Sequence, residues 1–217
     1  MLAALALIAL GGPTTVELIP TDDVWVYSHA SDPMKDPYLR VWGAEGKDVA
    51  KDVNEVQDFS YSYLRFDLTT LPKGKITGAT LTLTHLGHPG FDEAYSKLNP
   101  IKARPLPIDF REKTWDFSKI DQIMPEPGDK TAFGSGYAEN IPTDDKEFKI
   151  TVDLLKGPND FRKYVESGAS SASKSIDFAL TASLDVEEMG QSCIYKIYSK
   201  DCENPAKRPV LKLTVEP

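Results

Sequence analysis

Apolar and polar side chains alternate with a period of two along much of this chain. In the stretch Tyr61–Leu68, Leu64, Phe66 and Leu68 fall on one side of an extended backbone, and Tyr63, Arg65 and Asp67 fall on the other. Ala79–Thr84 repeats the pattern with its threonines outward, and Leu71–Lys75, which holds Pro72 and Gly74, reads as the turn between the two. The same period predicts strands at Val24–Tyr27, Leu39–Trp42, Phe148–Val152, Ile176–Thr181, Ile194–Ser199 and Val210–Val215. One stretch changes period. Phe161, Tyr164 and Val165 share a helical face, Asp153 or Asn159 is the candidate N-cap, and Gly168 is the stop signal. Many short strands with one short α-helix predict an all-β fold, a two-sheet antiparallel β-sandwich whose apolar faces meet between the sheets.

Sixteen prolines and fourteen glycines are spread at short intervals, as in chains of strands and turns. With 41% hydrophobic and 27% charged residues, the chain has the material for a real core and lacks the signature of disorder. Its length suits one large β domain, and the Ser-rich run 167–175 reads as a loop because the strand pattern resumes after it. Residues 1–20 are set apart. Met1–Leu10 is apolar throughout, too short to span a bilayer, and is followed by Gly11 and Gly12. That pattern fits a signal peptide, although the first basic residue is Lys35, and the alternative is an apolar N-terminal strand. The expected organisation is therefore residues 1–20 as leader or apolar segment and residues 21–217 as one sandwich, secreted or at a cell surface, with no stable membrane span.

A formal charge of −8 argues against a nucleic-acid partner, which selects a basic footprint. Cys193 and Cys202 flank a predicted strand. At roughly 3.3 Å per residue that strand holds them too far apart for easy bridging, although an oxidising compartment would permit a disulfide.

The order of certain segments carries a resemblance. Asp23-Val24-Trp25-Val26 is followed by Leu39-Arg40-Val41, then Leu64-Arg65-Phe66-Asp67-Leu68, Leu71-Pro72 and Ala79-Thr80-Leu81. Glu112-Lys113-Thr114-Trp115, Ile150-Thr151-Val152-Asp153, Tyr198-Ser199-Lys200 and Arg208-Pro209-Val210-Leu211 complete the series. From about Asp22 to Val215 the chain resembles the DNRLRE-domain family, grouped with carbohydrate-binding module family 96. The resemblance implies a jelly-roll-like sandwich of secreted and surface proteins, often attached to polysaccharide-degrading enzymes, some of which bind polysaccharides such as alginate. This chain departs from the pattern at Trp42, where a small residue is commoner, near Phe110, where a tryptophan is expected, and in a long 85–100 loop.

A sugar-binding face needs flat rings and fixed hydrogen-bond donors. Arg40, Trp42, Tyr61, Tyr63 and Arg65 are the candidate ligand-binding residues, with an arginine fork suited to a carboxylated sugar. The structural reading of the same residues is a polar pair between Arg65 and Asp67, and tyrosines tucked under a loop. For metals, His85 and His88 are candidates with His29 as the third histidine, and Asp22 and Asp23, near Glu45, Asp48 and Asp52, are candidates for a structural calcium. Asp185, Glu187 and Glu188 read as a solvated acidic loop. Neither a Gly-x-Ser-x-Gly elbow nor a His-Glu-x-x-His motif occurs. The expected function is a non-catalytic extracellular carbohydrate-binding-type module, with an acidic polysaccharide as a ligand. The alternatives are a structural or adhesive surface subunit that assembles with other domains or subunits through its N-terminal strand, and a small metal-dependent enzyme.

Overall fold

The computed structural model describes residues 12–27, 36–43, 59–87, 93–106, 110–115, 128–143, 146–184 and 194–217. These residues form eleven strands: β1 (Thr14–Leu18), β2 (Asp22–Tyr27), β3 (Tyr38–Gly43), β4 (Phe59–Asp67), β5 (Lys75–His85), β6 (Ile101–Pro105), β7 (Gly134–Gly136), β8 (Phe148–Asp153), β9 (Ser175–Thr181), β10 (Tyr195–Tyr198) and β11 (Val210–Glu216). All their pairings are antiparallel.

One sheet runs β1-β11-β5, with β8 on β5 and β10 reaching the end of β5 at Ile197↔His85. The other contains β2, β4, β9, β6 and β7. Strand β3 belongs to both: it pairs with β10 over Tyr38–Val41, and its last two residues pair with the start of β4. The all-β sandwich expected from the period of two is what the chain builds.

The alternation explains the main core. Leu64 and Phe66 of β4, Leu81 and Leu83 of β5, Phe178 and Leu180 of β9, and Leu211 and Leu213 of β11 are buried together between the sheets. Phe66 stacks on Phe178 with ring centroids 5.2 Å apart. The sandwich begins earlier than expected, because Thr14–Leu18 is a strand of it, and Val16 and Leu18 pack on the core. That part of the N-terminal segment is already paired with β11 of its own chain. Residues 1–11 lie outside the described residues.

Helix α2 (Phe161–Ser170) is the expected helix, with Phe161 and Val165 buried. Its cap is Asp160, whose carboxylate accepts from the Lys163 amide at 3.2 Å. Of the two residues expected to cap it, Asp153 ends β8 and accepts from the Leu155 amide, and Asn159 donates to the Thr131 carbonyl. A second helix, α1 (Glu93–Leu98), lies in the long 85–100 segment. Cys202 is buried with a free thiol, and Cys193 lies outside the described residues.

Strand β7 crosses β8 so closely that only glycine fits. A Cβ on Gly134 would collide with the Asp153 carbonyl, and one on Gly136 with that of Thr151. Gly134→Ala is therefore expected to destabilise the fold by about 1–3 kcal/mol, the usual cost of overpacking, read as a lowered midpoint in urea denaturation. Wild-type stability in that variant would show that the β7–β8 approach is looser than described.

Candidate functional site

The face of β4 that carries Phe59, Tyr61, Tyr63 and Arg65 points away from the main core, as alternation predicts, but it does not reach solvent. Val24 and Val26 of β2 and Ala179 of β9 flank the tyrosines within the sheet, and with Leu106, Phe110 and Trp115 they form a second apolar cluster. Tyr61 and Tyr63 are both 0% exposed, and Tyr63 meets the Phe110 and Trp115 rings edge-on at 6.0 and 5.7 Å. Burial pushes the Tyr63 hydroxyl far above its ordinary range. Trp42 packs in the main core. Tyr61, Tyr63, Arg65 and Trp42 are thus structural, which corrects their expected place on an open ligand-binding surface.

Arg65 shows why. Its guanidinium is 1% exposed and pairs with both carboxylate oxygens of Asp177, at 3.0 and 2.9 Å, and donates to Ser175 Oγ and the Phe110 carbonyl. The expected polar partner, Asp67, is exposed and accepts from the Thr69 amide instead. Ser175 donates to Ser173, and Ser171 donates to the Gly168 carbonyl at the end of α2 and lies 3.1 Å from Ser173. The serines that line a cleft of about 280 Å³ here therefore form a relay from the buried ion pair to the helix C-terminus.

Arg40 is the candidate that stays at the surface, with side-chain exposure of 34%. It pairs with Asp36 at 2.8 Å and lies over the Trp25 ring, 4.6 Å from its centroid. On β3 it lies opposite Lys196 of β10, with Tyr38 opposite Tyr198, and its side chain reaches across to Trp25 of β2 in the other sheet. The two tyrosine rings are 5.7 Å apart and half-buried. Because Ile197 pairs with His85 and Thr84 with Lys149, the row Lys149, Thr84, Tyr198, Tyr38 runs across four strands, roughly 14 Å at the usual strand spacing. Lys207 Nζ sits 4.9 Å from the Tyr198 ring centroid. Lys207 and the Tyr198 hydroxyl both donate to Glu147, and these bonds hold its carboxyl below the usual range. Lys149 and Lys196 make no side-chain ion pair among the described residues. Sequence reasoning missed this row because the β3–β10 register is not visible from either strand alone.

The metal candidates resolve differently. His85 is buried and stacked on Phe148; its Nδ1–H donates to the Leu86 carbonyl and its Nε2 accepts from the Lys196 amide at 3.0 Å. Burial lowers its pKa to about 4. Both ring nitrogens are engaged by backbone, so His85 is a core histidine and not a metal ligand. His88, His29, Glu45, Asp48, Asp52, Asp185, Glu187 and Glu188 lie outside the described residues.

Asp22 does not converge with Asp23. It accepts from the Glu112 amide at 3.1 Å and faces Arg111 at 3.6 Å. Asp23 is 4% exposed and meets Glu112 and Asp201, with one carboxylate oxygen of each within 4.8 Å of the others. Their cation is the chain's own. Lys200 Nζ lies 2.8 Å from Glu112 and 2.7 Å from Asp201, and the Lys200 amide donates to Asp23 at 2.6 Å. The cluster is an internal ion-paired clasp, and a calcium ion would have to displace that ammonium. Burial raises the Asp23 pKa to about 7.

Comparison with protein-family models finds none that matches the chain, and comparison with curated proteins finds none that matches.

Two outcomes test this assignment of roles. Arg65→Leu leaves Asp177 buried without its cation and is expected to cost about 3–5 kcal/mol, measured by chemical denaturation. Adding Asp177→Leu should recover a large part of that loss. An Arg65→Leu protein of unchanged stability would contradict the buried pair.

Proposed function

We propose that the protein is a non-catalytic, carbohydrate-binding-type module of an extracellular surface, and that it takes an acidic polysaccharide on the outer face around Tyr38, Arg40, Lys196 and Tyr198. The observation that carries this reading is charge complementarity set on a rigid face. Around the two tyrosine rings stand Arg40, Lys149, Lys196 and Lys207, against the carboxylates of Asp36 and Glu147. This occurs on a chain whose formal charge is −8. The local excess of cations favours a polymer of carboxylated sugars, and the half-buried rings offer apolar surface to sugar C–H groups. Paired strands carry Tyr38, Arg40, Lys149, Lys196 and Tyr198, so little backbone ordering accompanies binding. Placement outside the cell is supported by the apolar stretch Met1–Leu10, which has the character of a secretory signal.

Affinity electrophoresis or calorimetry with a polyuronate and a neutral glucan tests the reading. The polyuronate is expected to bind, more weakly as salt rises, and the neutral glucan to bind less. The double variant Arg40→Ala, Lys196→Ala should lose at least about tenfold in affinity, the equivalent of one charge-assisted contact. Absence of binding to either polymer, or an unaltered affinity in the double variant, would overturn it.

A further inference from the structure

The segment Phe110–Trp115 is a strap across the second apolar cluster. Phe110 and Trp115 supply its apolar contacts with Tyr63. Its polar hold is concentrated at one residue, Glu112. The Glu112 amide donates to Asp22, its carboxylate accepts from the Asp23 amide at 3.4 Å, and it pairs with Lys200. Lys200 in turn belongs to the turn after β10, whose backbone reaches the Asp23 carboxyl. Asp23 therefore lies where three pieces of chain meet: the start of β2, the strap, and the Lys200–Asp201 turn.

We propose that the Phe110–Trp115 strap is a proton-controlled cover: a proton on Asp23 fixes it over the aromatic face of β4, and loss of that proton loosens it. Burial sets the direction, the Lys200 amide and ammonium oppose it, and the two facing carboxylates add to it. From the strap comes the Glu112 carboxylate, and from the turn come the Lys200 ammonium and the Asp201 carboxylate. Asp22, with Arg111 paired to it, flanks them. With Asp23 neutral, one ammonium serves two carboxylates. With Asp23 ionised it must serve three; Asp23 is buried in β2, whereas Glu112 is carried on a short 3-10 turn, Glu112–Thr114, and Asp201 on an exposed turn.

The pH window follows from linkage. The closed form keeps the Asp23 proton up to about pH 7, whereas the opened form releases it near the ordinary aspartate value of 3.8. The closed form is therefore favoured most below about pH 4, loses that advantage as pH rises to about 7, and gains or loses nothing further above it. Global stability is a poor readout, because His85 works the other way. Its pKa is lowered from 6.5 to about 4, so its contribution to stability is lost as pH falls through that interval.

Amide hydrogen exchange by NMR between pH 4 and 8 reads the strap directly. The opening constants of the Glu112, Thr114 and Trp115 amides, corrected for intrinsic exchange, are expected to rise by up to about tenfold per pH unit from 4 to 7 and then level off. Amides in the middle of β4 and β9 should not share the rise. Asp23→Asn keeps an acceptor for the Lys200 amide and should make the strap amides insensitive to pH. If that variant does not fold, Glu112→Gln removes the facing carboxylate and should compress the rise severalfold. A wild-type strap whose opening does not change with pH would overturn the proposal, and so would either folded variant that keeps the full wild-type rise.

Discussion

The sheet built on β4 and β9 is buried on both faces, and most of the architecture answers to that constraint. One face closes the inter-sheet core through Leu64, Phe66, Phe178 and Leu180. The other, with Phe59, Tyr61, Tyr63 and Ala179, is buried in the second cluster, where the Phe110–Trp115 strap meets Tyr63. A strand enclosed on both sides cannot leave a charge unpaired, because a buried guanidinium without a partner is far costlier than one in water. Arg65 accordingly takes both oxygens of Asp177 and a serine hydroxyl from β9, and Tyr164 of α2 donates to the Asp177 carbonyl. In the same way Arg104 of β6 donates to Thr181 and Thr131. The polar groups on this face act as fasteners within a closed layer.

Enclosure of one sheet leaves the other to meet the surroundings. The outer side of the β1-containing sheet carries Thr80, Thr82, Lys149, Thr151, Lys196 and Lys212, none of them buried. Among the described residues, the aromatic pair Tyr38–Tyr198 stands at its β3–β10 end. Charge is divided in the same sense. The Asp23, Glu112 and Asp201 carboxylates gather around the β2 start and the strap, and the cations of Arg40, Lys196 and Lys207 gather around the tyrosines. A protein that is acidic as a whole thus offers a local cationic surface without a basic composition.

What was legible in the sequence is what depends on near neighbours. Alternation in Tyr61–Leu68 assigns Leu64 and Phe66 to one face and Tyr63 and Arg65 to the other, and the structure keeps that division. The fate of the second face was not legible, because its cover lies some 45 residues away at Phe110, and the partner of Arg65 is Asp177, 112 residues on. Both an open ligand-binding face and tyrosines tucked under a loop were compatible with the sequence, because alternation says which side a residue is on and nothing about what lies over that side. The strand Gly134–Gly136 has no apolar period to read, and the strand Thr14–Leu18 was merged with the apolar stretch before it. The helix was found but its cap was not, because Asn159 and Asp160 are adjacent good capping residues and only backbone geometry chooses between them. Tyr38 and Tyr198 escaped notice for a related reason: 160 positions apart, they become neighbours through the pairing of β3 with β10.

The pairing of β1 with β11 has a mechanical consequence. Thr14 lies opposite Val215 and Leu18 opposite Leu211, so both ends of the sandwich lie at the same pole. Tension applied through those ends would peel the two strands apart from Thr14 inward, loading the cross-strand bonds one after another instead of shearing them together. Such a domain would yield at low force when pulled from its ends. A load applied across the Tyr38–Tyr198 face would instead act on strands held at both edges.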